Sequence, residues 1–173
     1  GRAARMRSSC RPAAILRPSV SMVRPTRNRP TPPSSVMAMA VAVGAAERLC
    51  DESIAFAKER QQFGKPIAAH QLIQAMLADS GTEAWAGRCM VLETARKFDE
   101  GSRIIKEAAA CKMFCTEMVG RVADRAVQIH GGAGYMQDSP VEHFYRDVRL
   151  FRLYEGTTQI QQIIIAREMT ADA

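Results

Sequence analysis

Apolar residues along most of this chain recur every three or four positions, the spacing of a helix face rather than the two-residue alternation of a strand. Residues 37–60 are rich in Ala, Met and Val, then carry Leu49, Ile54 and Phe56 at helix-compatible intervals. They end in Lys58, Glu59 and Arg60, where basic side chains favour the helix dipole. Gly64 and Pro66 break the pattern. The spacing predicts a second helix from Ala68 to Phe98, with Leu72, Ile73, Met76, Leu77, Trp85, Cys89, Met90 and Leu92 on one broad stripe. After a short turn at 99–102, a third helix is expected from Ser102 to Ile129, carrying Ile105, Ala108, Ala109, Met113, Val119, Val122 and Val127. A shorter fourth is expected from Gln159 to Glu168, because Thr158 and Gln161 have the spacing of a capping box. Three long helices and a shorter fourth, joined by tight turns, predict an all-α, up-and-down four-helix bundle.

Composition changes this picture only at the N-terminus. The 173 residues suit one domain of ordinary size, and the net charge of +6 invites a nucleic-acid reading. That charge is unevenly placed. Residues 1–36 hold eight arginines and no acid, leaving 16 of the chain's 24 basic residues against all 18 acidic ones in residues 37–173. Six of the eight prolines also lie in the leader, which is therefore expected to be disordered. The division is thus a leader, 1–36, and a helical domain, 37–173. Arg-rich, Ser-containing and acid-free is how a mitochondrial transit peptide reads, and a mis-joined segment is the other reading. The leader has no aromatic residue for base stacking, so a nucleic-acid partner is not expected. The five cysteines form no CxxC pair and no Cys/His spacing suited to zinc, so no metal site is expected. Cys111 and Cys115, one helical turn apart, read as small core residues. No apolar run reaches the length of a membrane span.

Three groups of residues could carry chemistry. Glu155 stands on a turn ahead of the fourth helix, with Gly156 beside it to let the backbone turn sharply. Read locally, it is an acid near a helix N-terminus; a carboxylate placed there becomes a base if a ligand desolvates it. The run from Gln128 to Gly134 is Gly-rich. Gly132 and Gly134 open like a dinucleotide fingerprint, but a helix precedes them and Gln137 fills the third glycine position, so a Rossmann turn is rejected. A glycine cap ending the third helix is the simpler reading. Arg60 offers a fork to a phosphate, and Phe63 offers an aromatic face to a base, close to Gly64, His70 and Gln71.

Taken together, Arg60, Phe63, Gly64, His70 and Gln71, the run Gln128 to Gly134, and the run Tyr154-Glu155-Gly156-Thr157-Thr158-Gln159 resemble the C-terminal helical domain of acyl-CoA dehydrogenases over residues 37–173. The resemblance implies that Glu155 removes the proton α to an acyl-CoA thioester carbonyl while FAD accepts hydride from the β carbon, leaving a trans-2-enoyl-CoA. It implies that Arg60, Phe63, Gln71, Gln128, Gly131, Gly132, Thr157 and Gln159 contact FAD, several of them the FAD of a neighbouring subunit, and that Tyr154 and Gly156 border the substrate. It further implies an electron-transfer flavoprotein as electron acceptor and a homotetramer built through these helices. The location implied is the mitochondrial matrix in a eukaryote or the cytoplasm in a bacterium. Pro140, Val141, Glu142, Arg146 and Asp147 match the family's connecting segment, whose charges read as structural ion pairs; His143 stands where Lys or Arg is usual. His130 is assigned no chemical role. Ser35 stands where members carry Arg-Pro or a similar polar group, nine residues before the matching glycine, Gly44. Nothing resembling the family's other two domains is found, so the chain alone is expected to bind FAD weakly or not at all and to be inactive. Two alternatives remain at this stage: a non-catalytic helical oligomerisation module, and an acyl-CoA oxidase-like enzyme.

Overall fold

The structure, a computed structural model, describes residues 34–171. The leader expected to be disordered lies outside the described residues up to position 33. Its last three positions belong instead to helix α1, Ser34–Glu59, which starts three residues earlier than the apolar pattern suggested. Met39, Ala42, Ala46 and Leu49 on α1 are fully buried, at spacings of three and four, and form one wall of the core. Burying a side chain of the size of Leu49 or Met39 contributes roughly 1.5–3 kcal/mol.

A two-residue hairpin follows. Strands β1, Gln61–Gln62, and β2, Lys65–Pro66, pair antiparallel in the register Gln61 to Pro66 and Gln62 to Lys65. Its two central residues, Phe63 and Gly64, have φ of 52° and 77°, the conformation of the tight hairpin turn that matches strand twist. The break read from Gly64 and Pro66 is therefore an ordered turn. A 3-10 turn at Ile67–Ala69 and an extended His70 complete the link. They delay helix α2, which runs Gln71–Asp99 rather than from Ala68.

The buried face of α2 departs from the expected stripe. Leu72, Trp85 and Leu92 are exposed, whereas Ser80, Ala84, Gly87 and Thr94 are buried. Small residues face inward because neighbouring helices come close. A Cβ at position 87 would lie 2.9 Å from the Met118 terminal methyl carbon and 3.3 Å from a Val43 methyl. Glu83 on α2 bridges to the next helix, with Arg121 Nε and Arg125 Nη2 each 3.2 Å from its carboxylate.

Helix α3, Ile105–His130, begins after a left-handed Gly101 and touches every other helix of the bundle. That central position explains why Cys111, Cys115, Met118, Val119 and Ala123 are all fully buried. Gly131, at φ 58°, caps α3 through its N–H to the Val127 carbonyl, 2.9 Å. A single turn, α4, spans Gly132–Tyr135. The segment read as a connection is itself a helix, α5, Pro140–Leu150, started by Pro140 at its first position and docked through Val141 and Val148. The expected ion pair is present within it: Glu142 accepts from Arg146 Nε at 2.6 Å. Helix α6, Thr158–Thr170, is longer than the expected Gln159–Glu168. The architecture is the all-α bundle of three long helices and a shorter one, with α5 added. Among the described residues no helix is long and apolar enough to cross a membrane.

Candidate functional site

The predicted site residues fall into two groups. The first surrounds a cleft of roughly 690 Å³ between the hairpin and the end of α3, lined by Arg60, Phe63, His70, Gly131 and Gly132 among others. The hairpin turn projects the Phe63 ring almost wholly into solvent, 92% exposed. The ring meets His70 edge-on at 5.9 Å, and His70 Nε2 lies 3.2 Å from the Gln62 carbonyl. His130 forms the floor, stacked on Phe56 at 4.3 Å, with its Nδ1 2.8 Å from the Ala126 carbonyl. A Cβ added at Gly131 or Gly132 would meet nothing within 4 Å, so the backbone there is open to an approaching group. The cleft thus offers a guanidinium, an exposed flat ring and a stretch of backbone at Gly131 and Gly132 that no side chain covers. Those are the elements a dinucleotide needs at its phosphates and its base, so the residues present fit FAD. Gln71, the exposed first residue of α2, is not among the residues lining this cleft, and Gln128 faces a separate depression with Glu142, Tyr145 and Arg146.

The second group is the turn between α5 and α6. Glu155 has φ 56° and Gly156 φ 88°. Glu155 and Phe63 are the two non-glycine residues with positive φ among the described residues, and both were singled out from the sequence. A left-handed conformation costs a non-glycine residue about 1–2 kcal/mol, and such residues persist only where the surroundings hold them. Here the holding groups are explicit. Gln161, buried, donates from Nε2 to the Glu155 carbonyl at 3.0 Å and to the Gly156 carbonyl at 3.3 Å. Lys112, fully buried on α3, donates from Nζ to the Phe151 carbonyl at 3.0 Å and to the Gly156 carbonyl at 2.6 Å. Glu117, five residues further along α3, accepts from Thr158 Oγ1 at 2.7 Å and from Arg152 Nη1 at 3.1 Å.

Glu155 itself is exposed, and Leu150, Leu153, Ile160 and Ile163 on the flanking segments are also exposed, an apolar rim near an acidic group. Tyr154 packs edge-on against Phe151 at 5.8 Å; partial burial and the Glu155 charge push its hydroxyl pKa up. The expected capping box is replaced by a simpler cap. Thr157, not Thr158, is the N-cap of α6, with Oγ1 accepting from Ile160 N at 3.4 Å, while Gln161 reaches back to the turn carbonyls. Thr157 and Gln159 line a small depression with Arg149 and Arg152, separate from the cleft at Arg60 and Phe63. Sequence reading missed Lys112 and Glu117, and assigned Gln161 to a capping box where it instead holds the turn carbonyls. A lysine on the apolar stripe between Ala108 and Thr116 was the available signal for the first of these.

The model of the family "Acyl-CoA dehydrogenase, C-terminal domain" matches residues 33–170. A probable acyl-CoA dehydrogenase of Bacillus subtilis, YngJ, is 47% identical over 130 residues, covering 75% of this chain and 34% of that protein. The CarC subunit of the caffeyl-CoA reductase-Etf complex of Acetobacterium woodii is 44% identical over 124 residues, covering 72% of this chain and 33% of that protein. The solved acyl-CoA dehydrogenase of Geobacillus kaustophilus superposes with a TM-score of 0.78 at 34% identity, over 79% of this chain and 36% of that one. The chain spans about a third of the length of the curated relatives it matches. Family model, sequence relatives and fold agree: this chain belongs to the acyl-CoA dehydrogenase family, of which residues 33–170 are the C-terminal domain.

Proposed function

We propose that this domain supplies the base and part of the flavin site of an FAD-dependent enzyme that interconverts an acyl-CoA and its trans-2-enoyl-CoA. The observation that carries the reading is Glu155, an exposed non-glycine residue at φ 56° whose turn is tied to α3 and α6 through its carbonyls and is flanked in the chain by the exposed Leu150, Leu153 and Ile160. An acyl chain laid over Leu150, Leu153 and Ile160 would strip water from that carboxylate. Desolvation disfavours a charged carboxylate and so makes it a stronger base. Glu155 then takes the proton from the carbon α to the thioester carbonyl, and its carboxyl holds that proton while product leaves. FAD, when bound, supplies the acceptor for the hydride from the β carbon.

Arg60 would hold an FAD phosphate, Phe63 would stack on a flat ring, and Gly131 and Gly132 would let backbone N–H groups approach the diphosphate. Gln71 and Gln128, which do not line that cleft, and Thr157 and Gln159, which sit at the Glu155 turn, would reach FAD only if a second copy completes the site. A homo-oligomer sharing its flavin sites is therefore part of the reading, and electrons would pass to an electron-transfer flavoprotein. In the reductase direction the same steps reverse, and Glu155 donates the proton.

The test is a chimera in which residues 34–171 replace the matching third of a full-length relative. The proposal expects a purified yellow protein that reduces a dye with an acyl-CoA. A colourless, inactive but folded chimera would favour a helical module without catalysis. Hydrogen peroxide formed in step with substrate would assign the oxidase chemistry instead.

A further inference from the structure

Lys112 is the one fully buried lysine among the described residues, and the base mechanism above gives it no part. It lies on the core face of α3 next to Cys111, one turn before Thr116, both fully buried. A buried ammonium is costly unless its donors are used. Two of its three N–H groups are: they reach the Phe151 carbonyl at 3.0 Å and the Gly156 carbonyl at 2.6 Å. Those carbonyls stand on opposite sides of Glu155 in the chain. Burial pulls the ammonium's pKa down, while the charges of Glu155 and Glu117 favour its protonated form.

The direction of the carbonyls matters. With Glu155 at φ 56° and Gly156 at φ 88°, carbonyls on both sides of the turn point into the bundle, and the Glu155 side chain stays on the surface. Gln161 contributes neutral bonds to the Glu155 and Gly156 carbonyls. Bonds from a charged donor are roughly twice as strong as neutral ones, and a tetrahedral ammonium can serve two carbonyls that face it from different directions. We propose that Lys112 is a positioning residue for Glu155: its buried ammonium clamps the Phe151 and Gly156 carbonyls and holds Glu155 in the left-handed conformation that presents its carboxylate. The inference rests on the reading of Glu155 as the base; the clamp is tested without it.

The experiment compares this chain with its Lys112→Met variant, which keeps the length and apolar stem of the side chain and removes the ammonium. Amides of residues 152–160 are expected to exchange hydrogen at least ~10-fold faster, the scale of losing charged hydrogen bonds, while those of residues 118–130 change less than about two-fold. In protein labelled with carboxyl-¹³C glutamate, the Glu155 signal, assigned by its loss in Glu155→Gln, is expected to shift or broaden while that of Glu142 stays in place. A role in core packing alone would leave the Glu155 signal unmoved. Unchanged exchange at 152–160, or a uniform rise across the bundle, overturns the clamp. If Lys112→Met does not fold, ¹⁵N-lysine spectra of the parent chain decide. A clamped Lys112 shows ammonium protons that exchange slowly, and a Lys112 ammonium exchanging as fast as those of the exposed Lys58, Lys65 and Lys106 overturns the proposal. Both measurements are made without flavin or substrate, so their outcome is independent of the kinetic test of Glu155.

Discussion

Replacing Gly156 by Ala probes the candidate catalytic turn through its backbone. At φ 88° an alanine is strained by about 1–2 kcal/mol. Its Cβ would also lie 2.6 Å from Gln161 Nε2, far inside contact distance. Gln161 is 5% exposed, so its amide has little room to retreat and no water to bond in exchange. Losing its bonds to the Glu155 and Gly156 carbonyls costs about 0.5–1.5 kcal/mol each. The sum is about 2–5 kcal/mol, a large part of the 5–15 kcal/mol typical of a domain. Urea unfolding of the parent, Gly156→Ala, Gln161→Ala and the double variant separates the two causes. In the Gln161→Ala background the collision is gone, and Gly156→Ala should cost only the strain, about 1–2 kcal/mol. A cost below about 0.5 kcal/mol in the parent, or the same cost in both backgrounds, would refute the reasoning.

Gly44 makes the opposite case: it lies inside α1 with nothing within 4 Å of a would-be Cβ, so Gly44→Ala should stabilise the bundle by about 0.5–1 kcal/mol in the same unfolding assay. Burial alone would raise the Glu83 pKa, but the hydrogen bonds and charges of Arg125 and Arg121 outweigh it and hold the carboxyl below its usual range. A depressed pKa gives stability that is complete above the unfolded value, about 4.3, and is lost as pH falls from there through the folded value. Acid unfolding of Glu83→Gln should therefore show a shallower decline below that pH than the parent. Among the described cysteines, Cys89 is exposed, whereas Cys111 and Cys115 are fully buried; the hydrogen bond with the Cys111 thiol, together with burial, pushes the Cys115 pKa up. A thiol reagent should modify Cys89 in the native chain and reach Cys111 and Cys115 only after unfolding, as peptide mass mapping would record.

The parts of the molecule legible in the sequence are those where local pattern and packing agree. Helix α3 packs against every other helix while Arg121, Asp124 and Gln128 stay exposed, so its apolar stripe is dense and easily read. Helix α2 is packed through Ser80, Ala84 and Gly87, where small residues admit close neighbours, so a search for large apolar side chains picked out Leu72, Trp85 and Leu92 on its exposed side. The start of α2 was misplaced because nothing in the apolar spacing distinguishes a hairpin and a 3-10 turn from a helix end. Glu155 and Phe63 were found through short motifs, and the structure adds that both occupy left-handed backbone. Lys112 was not found because a lysine is read as surface unless its partners are known, and those partners, the Phe151 and Gly156 carbonyls, are about 40 residues away in the chain.

The central claim is that Glu155 moves the proton, and the most direct test is Glu155→Gln in the chimera described above. Glutamine keeps the size and most of the hydrogen bonding of the side chain but removes its basic lone pair. Flavin should still bind, because Arg60, Phe63 and the Gly131–Gly132 backbone are untouched. Bleaching of the oxidised flavin by an acyl-CoA, followed in a stopped-flow spectrometer, should slow by at least ~10²-fold, the lower range for loss of a positioned general base. Glu142→Gln, which removes a carboxylate paired with Arg146 and 3.8 Å from His143 Nε2, should bleach at the parent rate. Parent-rate bleaching in Glu155→Gln would contradict the account and place the base on another residue.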